Sequence, residues 1–264
     1  MILAVVSKKG GVGKTTTAVN LAAALADRGH RVLLVDLDSQ ASASLSLGVP
    51  RSDLGPSVAD ALLSDVPMID VIRSTRTPGL DLVTASVDLL SAETELGVFR
   101  HSGRQLRRAL EPLERGYDYI LLDCPPSVSL LPTNALTACH AFLMPVVPQF
   151  LAVTGVQSLL RYAERLQHRE ADPRRTHLLG LVLTMVDYRT RATRLHVERL
   201  RRHYGAQVCG IEIRINVRLA EAPESGQTIF DYDPSATGAE AYRLLAEEVE
   251  MRAAKICCGG TATP

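Results

Sequence analysis

Short apolar runs alternate with longer stretches of helical periodicity from one end of the chain to the other. Residues 2–6, 31–37, 80–85, 119–124, 141–147, 178–186 and 208–213 have strand length. Several are apolar without alternation, the pattern of parallel strands covered on both faces. Between them the spacing predicts helices over 15–27, 104–114, 155–167, 193–203 and 239–252. Such alternation specifies an α/β fold with a doubly wound, mostly parallel sheet and helices on both faces. Residues 48–79, with several Pro, Gly and Ser, read as a looser excursion holding a short helix at 58–63. A single domain is expected over 1–254, with 255–264 as a flexible tail.

Composition narrows the class without naming a function. A chain of 264 residues, 46% hydrophobic and 22% charged, is a globular protein and neither disordered nor collagen-like. The five cysteines, Cys124, Cys139, Cys209, Cys257 and Cys258, are irregularly spaced and form no C-x-x-C pair. They fit free thiols in a reducing cytosol better than a disulfide framework or a zinc site. No run approaches the ~18 apolar residues of a spanning helix, and the first strand lacks the basic flank of a signal peptide. A cytoplasmic location is expected.

The first candidate chemistry follows the first strand, where Lys9-Gly10-Gly11-Val12-Gly13-Lys14-Thr15-Thr16 leads into a helix. Glycines let backbone N–H groups turn inward on phosphate oxygens, and the helix N-terminus adds favourable partial charge. In this setting Lys14 neutralises the terminal phosphates of a nucleotide and the Thr15 hydroxyl ligates Mg²⁺. Two strands then end in acid. Asp36 and Asp38 are separated by one residue and so point the same way, one able to serve the metal shell and the other to position an attacking water. Asp123 follows four strand residues, Tyr119-Ile120-Leu121-Leu122, and is placed to orient water on Mg²⁺.

The doubled lysine of the glycine loop resembles the deviant Walker A motif of the ParA/MinD ATPase superfamily. The resemblance covers almost the whole chain and is closest to the ParA/Soj partition ATPases. It includes Asn134-Ala135-Leu136-Thr137-Ala138, Leu183-Thr184-Met185-Val186-Asp187 with Arg189-Thr190, Asn216 through Pro223, and Tyr232-Asp233-Pro234. It implies that Lys9 crosses a two-fold interface to a partner's ATP and that Asp38 positions the hydrolytic water, whereas Lys8 is an ordinary solvated loop lysine. It also implies an ATP-dependent homodimer and a ParB-like activating protein. Two departures stand out. Ile213-Arg214-Ile215-Asn216 replaces the usual I-P-R-N, so Arg214 and Asn216 inherit the adenine positions. Asp38-Ser39-Gln40-Ala41-Ser42 replaces the usual D-P-Q-G-N.

The balance of 29 basic and 29 acidic residues conceals an uneven distribution. Residues 161–218 carry 13 arginines, no lysine and only 6 acidic residues. Arg189, Arg191, Arg194, Arg199, Arg201 and Arg202 lie on or beside one helix pattern, and Arg218 follows. A basic stripe without interleaved aromatics suits phosphate-backbone contact and no base reading. The resemblance implies non-specific double-stranded DNA binding through Arg189 and Arg218, and Arg191 and Arg194 extend that set.

Other readings are open to discrimination. A membrane-bound MinD-like regulator requires a basic amphipathic C-terminal helix, but the last helix pattern holds Glu247, Glu248 and Glu250. An iron–sulfur relative requires a C-x-x-C pair. A ParA-like positioner of a protein assembly, such as a chemoreceptor cluster or carboxysome, differs from a chromosome or plasmid partition ATPase only in its cargo. Because Ile2 already begins the first strand, a preceding helix-turn-helix is not expected.

Overall fold

The computed structural model describes residues 1–64, 66–91, 102–127, 129–170 and 176–258. Its strands are β1 (Ile2–Val5), β2 (Val32–Asp36), β3 (Ile72–Ser74), β4 (Leu80–Val83), β5 (Tyr119–Asp123), β6 (Ala141–Val146), β7 (His177–Val186) and β8 (Val208–Arg214). They form one sheet in the order β3-β4-β2-β5-β1-β6-β7-β8, and only the β3–β4 pair is antiparallel.

The apolar runs explain this arrangement. Every residue of β1, β2, β5 and β6 is buried, as two covered faces demand. Ile2, Ala4, Leu33 and Ile120 face one core, while Leu3, Val5, Leu34 and Leu121 face the other. Each fully buried Leu, Ile or Val contributes roughly 1.5–3 kcal/mol of transfer free energy.

Ten helices cover the two faces. On the first lie α3 (Val58–Leu63), α4 (Gln105–Leu110), α5 (Leu130–Ala138), α6 (Ala152–Glu170) and α7 (Arg191–Tyr204), anchored by Val58, Leu110, Leu131, Val156 and Val197. On the second lie α1 (Lys14–Asp27), α2 (Ser42–Ser46), α8 (Val217–Glu221), α9 (Ile229–Tyr232) and α10 (Thr237–Cys258), anchored by Leu21, Ala43, Leu219, Ile229 and Leu245. Those ten are the α-helices of the described residues; short 3₁₀ turns lie between them.

Several elements differ from the sequence expectation. β3 is a three-residue edge strand inside the supposed excursion, too short to show alternation. α5 has six of its nine residues buried, so it has no polar face to generate a helical period. Its Pro132 sits in the first turn, where the missing N–H costs nothing. α2, α8 and α9 are one-turn helices set by tertiary contact. α10 runs past Arg252 through Cys258, so residues 255–258 are helical and not tail; residues 259–264 lie outside the described set. Among the described residues no helix is long and apolar enough to cross a membrane.

β1 occupies the middle of the sheet, with β5 on one side and β6 on the other. The chain leaves β1 for β2 on the first side and later returns to build β6, β7 and β8 on the second. A crevice opens at such a reversal, outside the carboxyl ends of the strands. The glycine loop, Asp36 and Asp123 all emerge there.

Candidate functional site

The loop between β1 and α1 turns through left-handed backbone at Gly11 (φ 67°) and Gly13 (φ 79°), which only glycine adopts without cost. Gly13 caps α1 without a side chain, and the first helical turn contains no acidic residue. The free N–H groups and the positive end of the helix dipole are therefore open to an anion. Thr184 Oγ1 donates to the Val12 carbonyl at 2.9 Å and ties the loop to the end of β7. Lys14 is buried, 7% exposed, beneath this loop, and Thr15 and Thr16 are half-buried beside it.

Asp36 and Asp123 are fully buried partners across the β2–β5 register, and their surroundings differ sharply. Asp36 Oδ2 accepts from Ser44 N at 2.9 Å and Ser44 Oγ at 2.8 Å, and Oδ1 accepts from Asp38 N at 3.1 Å. Among the described residues neither oxygen of Asp123 has a hydrogen-bond partner of ordinary geometry, although the Thr15 hydroxyl is close enough to favour its charged form. Burial first, and then the Asp36 carboxylate, push the Asp123 pKa well above the ordinary range; Thr15 and Lys14 act the other way and are outweighed. Burial likewise raises Asp36 against the bonds from Ser44 and Asp38.

A buried carboxylate without a protein donor is an expensive feature unless a cation or its bound water completes it. The residues present fit Mg²⁺: a carboxylate, the Thr15 hydroxyl and a loop shaped for phosphate oxygens. The described residues hold no group of three His, Cys, Asp or Glu side chains able to cage a metal.

Asp38 lies half-buried two residues beyond Asp36. Its Oδ1 accepts from Gln40 N at 3.0 Å and its carbonyl from Ala41 N at 2.7 Å, so the residue closes a tight turn. Ala41 completes the turn in left-handed backbone (φ 54°) while almost fully buried.

Lys8 and Lys9 diverge. Lys8 is not a solvated loop lysine: its Nζ donates to Ser158 Oγ at 2.8 Å and lies 5.6 Å from the Tyr162 ring centre on α6. Lys9 is exposed, and its Nζ donates to Gln149 Oε1 at 2.7 Å. Phe150 (75% exposed) and Leu151 (65%) follow Gln149 directly on this rim.

A pocket of about 330 Å³ opens beside the loop, lined by Gly13, Thr16, Met185, Arg214, Asn216 and Tyr242 among others. Asn216 caps α8, accepting from Leu219 N at 3.2 Å, and donates to Thr237 Oγ1 at 2.8 Å. Met185, not singled out from sequence as a pocket residue, has positive φ (51°). Tyr242 enters from α10, and its hydroxyl is 3.3 Å from Thr17 Oγ1. No sequence motif marks Tyr242, because only the packing of α10 against α1 brings it here.

The arginines divide into two groups. Arg189, Arg191, Arg194 and Arg218 are exposed. Arg189 grips Asp187 with two 2.8 Å bonds and holds that carboxyl down to a pKa of about 2. Arg194 Nε donates to the Tyr188 carbonyl at 3.1 Å. Arg218 pairs with Glu221 at 2.8 Å and Asp233 at 3.5 Å. Arg201, counted with the stripe from sequence, instead turns inward to Glu212 at 2.6 Å and the Cys209 carbonyl at 3.2 Å.

A family model described as an AAA domain matches residues 1–175. The chain is 43% identical over 249 residues to the sporulation initiation inhibitor protein Soj of Bacillus subtilis, covering 94% of this chain and 97% of that one. It is 41% identical over 253 residues to the chromosome partitioning protein ParA of Caulobacter vibrioides, covering 95% and 94%. Among solved structures, cobyrinic acid a,c-diamide synthase from Mycobacterium smegmatis, with bound ATP analog and magnesium, superposes with a TM-score of 0.82. That match has 33% identity over 100% of this chain and 98% of the other.

Proposed function

The chain belongs to the ParA/Soj family of partition ATPases, and on that premise we propose that it is an ATP-hydrolysing switch that loads onto non-specific double-stranded DNA and positions a cargo. The cargo is a chromosome or plasmid carrying a ParB-like activating protein, and the working location is the nucleoid within the cytoplasm.

The observation that carries the reading is the orphaned Asp123 carboxylate beside Thr15 and Lys14 at the foot of an uncapped glycine loop. The amides of Gly10, Gly11, Val12 and Gly13 and the first turn at Thr15 and Thr16 bind the phosphates, and Lys14 neutralises their charge. Thr15, Asp123 and Asp36 would hold Mg²⁺, which would supply charge neutralisation at the phosphates. Asp38 orients the attacking water, and Arg214 and Asn216 bound the adenine site. Lys9 leaves Gln149 to reach the nucleotide of a second copy, forming an ATP-dependent homodimer. Hydrolysis is slow until the activating protein engages.

On the DNA side, Arg189, Arg191, Arg194 and Arg218 contact phosphates. The present ion pairs of Arg189 and Arg218 are exposed, and such pairs are weak enough to be exchanged for a polyanion. The test is fluorescence anisotropy of a random duplex at low salt with ATP- or ADP-loaded protein. Equal binding in the two states removes the switch. Absence of ATPase stimulation by a ParB-like protein from the same genome removes the partition cargo and leaves a positioner of a protein assembly.

A further inference from the structure

Tyr188 stands between the base pocket and the arginine face, and three of its groups each hold a different partner. The guanidinium of Arg214, on the pocket rim, lies 5.4 Å from the centre of its ring. Its hydroxyl donates to Glu212 Oε2 at 2.6 Å, and Glu212 Oε1 in turn takes Arg201 of α7 at 2.6 Å. Its carbonyl accepts Arg194 Nε at 3.1 Å. The next residue, Arg189, is folded back onto Asp187 in the same turn. One short segment, residues 187–190, therefore restrains two of the four arginines assigned to DNA, Arg189 and Arg194, and touches the pocket through Arg214.

The chemistry at the rim is one-sided. A guanidinium donates five N–H bonds and accepts none, whereas a purine edge offers ring nitrogens as acceptors. A base in the pocket competes with the Tyr188 ring for Arg214. In the turn Arg189 is closed on Asp187, an exposed ion pair of the weak kind that a phosphate can replace.

We propose that Tyr188 is the coupling residue between the base pocket and the arginine face. A bound purine draws Arg214 off the Tyr188 ring, the 187–190 turn relaxes, and Arg189 and Arg194 become available to phosphates. The inference rests on the DNA-loading reading above. Because ATP and ADP share the base, the relay couples occupancy of the pocket to DNA loading, while the terminal phosphate and the Lys9 contact between copies tell the two nucleotides apart. Coupling of this kind is reciprocal, so DNA raises nucleotide affinity by the same factor that nucleotide raises DNA affinity.

The full chain is titrated with a non-hydrolysable ATP analogue, with and without a saturating random duplex, and the ratio of the two affinities is the coupling factor. In Tyr188→Ala the factor falls by about fivefold or more, the range of measured allosteric couplings. Tyr188→Phe keeps the ring and keeps the factor. Arg214→Ala, an exposed truncation that tests the same contact independently of whether Tyr188→Ala folds, lowers the factor comparably, and the double variant falls no further than either single one. A wild-type factor of one overturns the switch reading itself. A wild-type factor above one that survives in Tyr188→Ala, a Phe variant that behaves like Ala, or additive single effects overturns the relay and leaves the switch standing.

Discussion

Asp36 and Asp123 lie side by side as register partners on adjacent parallel strands, both fully buried, yet among the described residues only Asp36 accepts hydrogen bonds of ordinary geometry. The pair is the electrostatic centre of the site. Two carboxylates this close cannot both ionise cheaply away from water. The raised Asp123 pKa means the folded chain binds more protons than the unfolded one above the ordinary value of 3.8. The stability contributed by the protonated group is therefore complete below that value and is lost as pH rises through the folded pKa. Asp123→Asn removes the buried charge. In the absence of nucleotide its melting temperature at pH 7.5 is expected to exceed that of wild type, and its fall with rising pH to be shallower. Mg²⁺-ATP should raise it by less than it raises wild type. Differential scanning fluorimetry across pH 5–8 checks both, on a scale of about 1–3 kcal/mol for one unsatisfied buried group.

The two loop lysines make separable contributions. Lys14→Ala should weaken ATP binding by about tenfold or more, the loss of roughly 1.4 kcal/mol at a buried charged contact. Lys9→Ala should leave the monomer's ATP affinity close to wild type and abolish ATP-dependent self-association, read by light scattering after gel filtration. An ATP-dependent dimer of Lys9→Ala would show that its Gln149-bound position is no prelude to crossing an interface.

Ala41 occupies a backbone region that costs an L-residue about 1–2 kcal/mol, partly offset by its lower unfolded-state entropy than glycine. Ala41→Gly is therefore expected to stabilise the protein by about 0.5–1 kcal/mol in urea unfolding. Because the turn also carries Asp38, the same variant should alter the hydrolysis rate more than the affinity for ATP. A loss of stability would mean that the Ala41 methyl, packed in the core, outweighs the strain.

Charge reversal separates the surface arginines from the inward one. Arg189→Glu and Arg218→Glu should each reduce DNA affinity by more than about tenfold at low salt and flatten its salt dependence, with little change in melting temperature. Arg201→Glu should lower the melting temperature, because it places like charge against Glu212, which is only 13% exposed. Arg201→Glu that weakens DNA binding without loss of stability would return Arg201 to the DNA face.

The parallel strands, α1, the glycine loop and the acidic strand ends were legible in the sequence because each follows from local rules. Continuous apolar runs mark strands covered twice, left-handed turns call for glycine, and residues at strand ends face the crevice. β3, α5 and the one-turn helices were not legible, since burial or edge pairing, and not an internal period, decides them. The roles of individual side chains were also beyond the pattern. Lys8 and Lys9 are adjacent and chemically identical, but one is anchored to α6 and the other projects from the rim. Arg194 and Arg201 share a helix, yet one faces outward and the other closes on Glu212 of β8. Asp36 and Asp123 both end strands, and what distinguishes them is the donors that Ser44 of α2 and the Asp38 amide bring to Asp36. The sequence by itself determined which groups could do phosphate chemistry and where along the chain they lie. The tertiary structure decided which of them are satisfied internally and which are left for a ligand, because hydrogen-bond partners, burial and counter-charges come from segments distant in sequence.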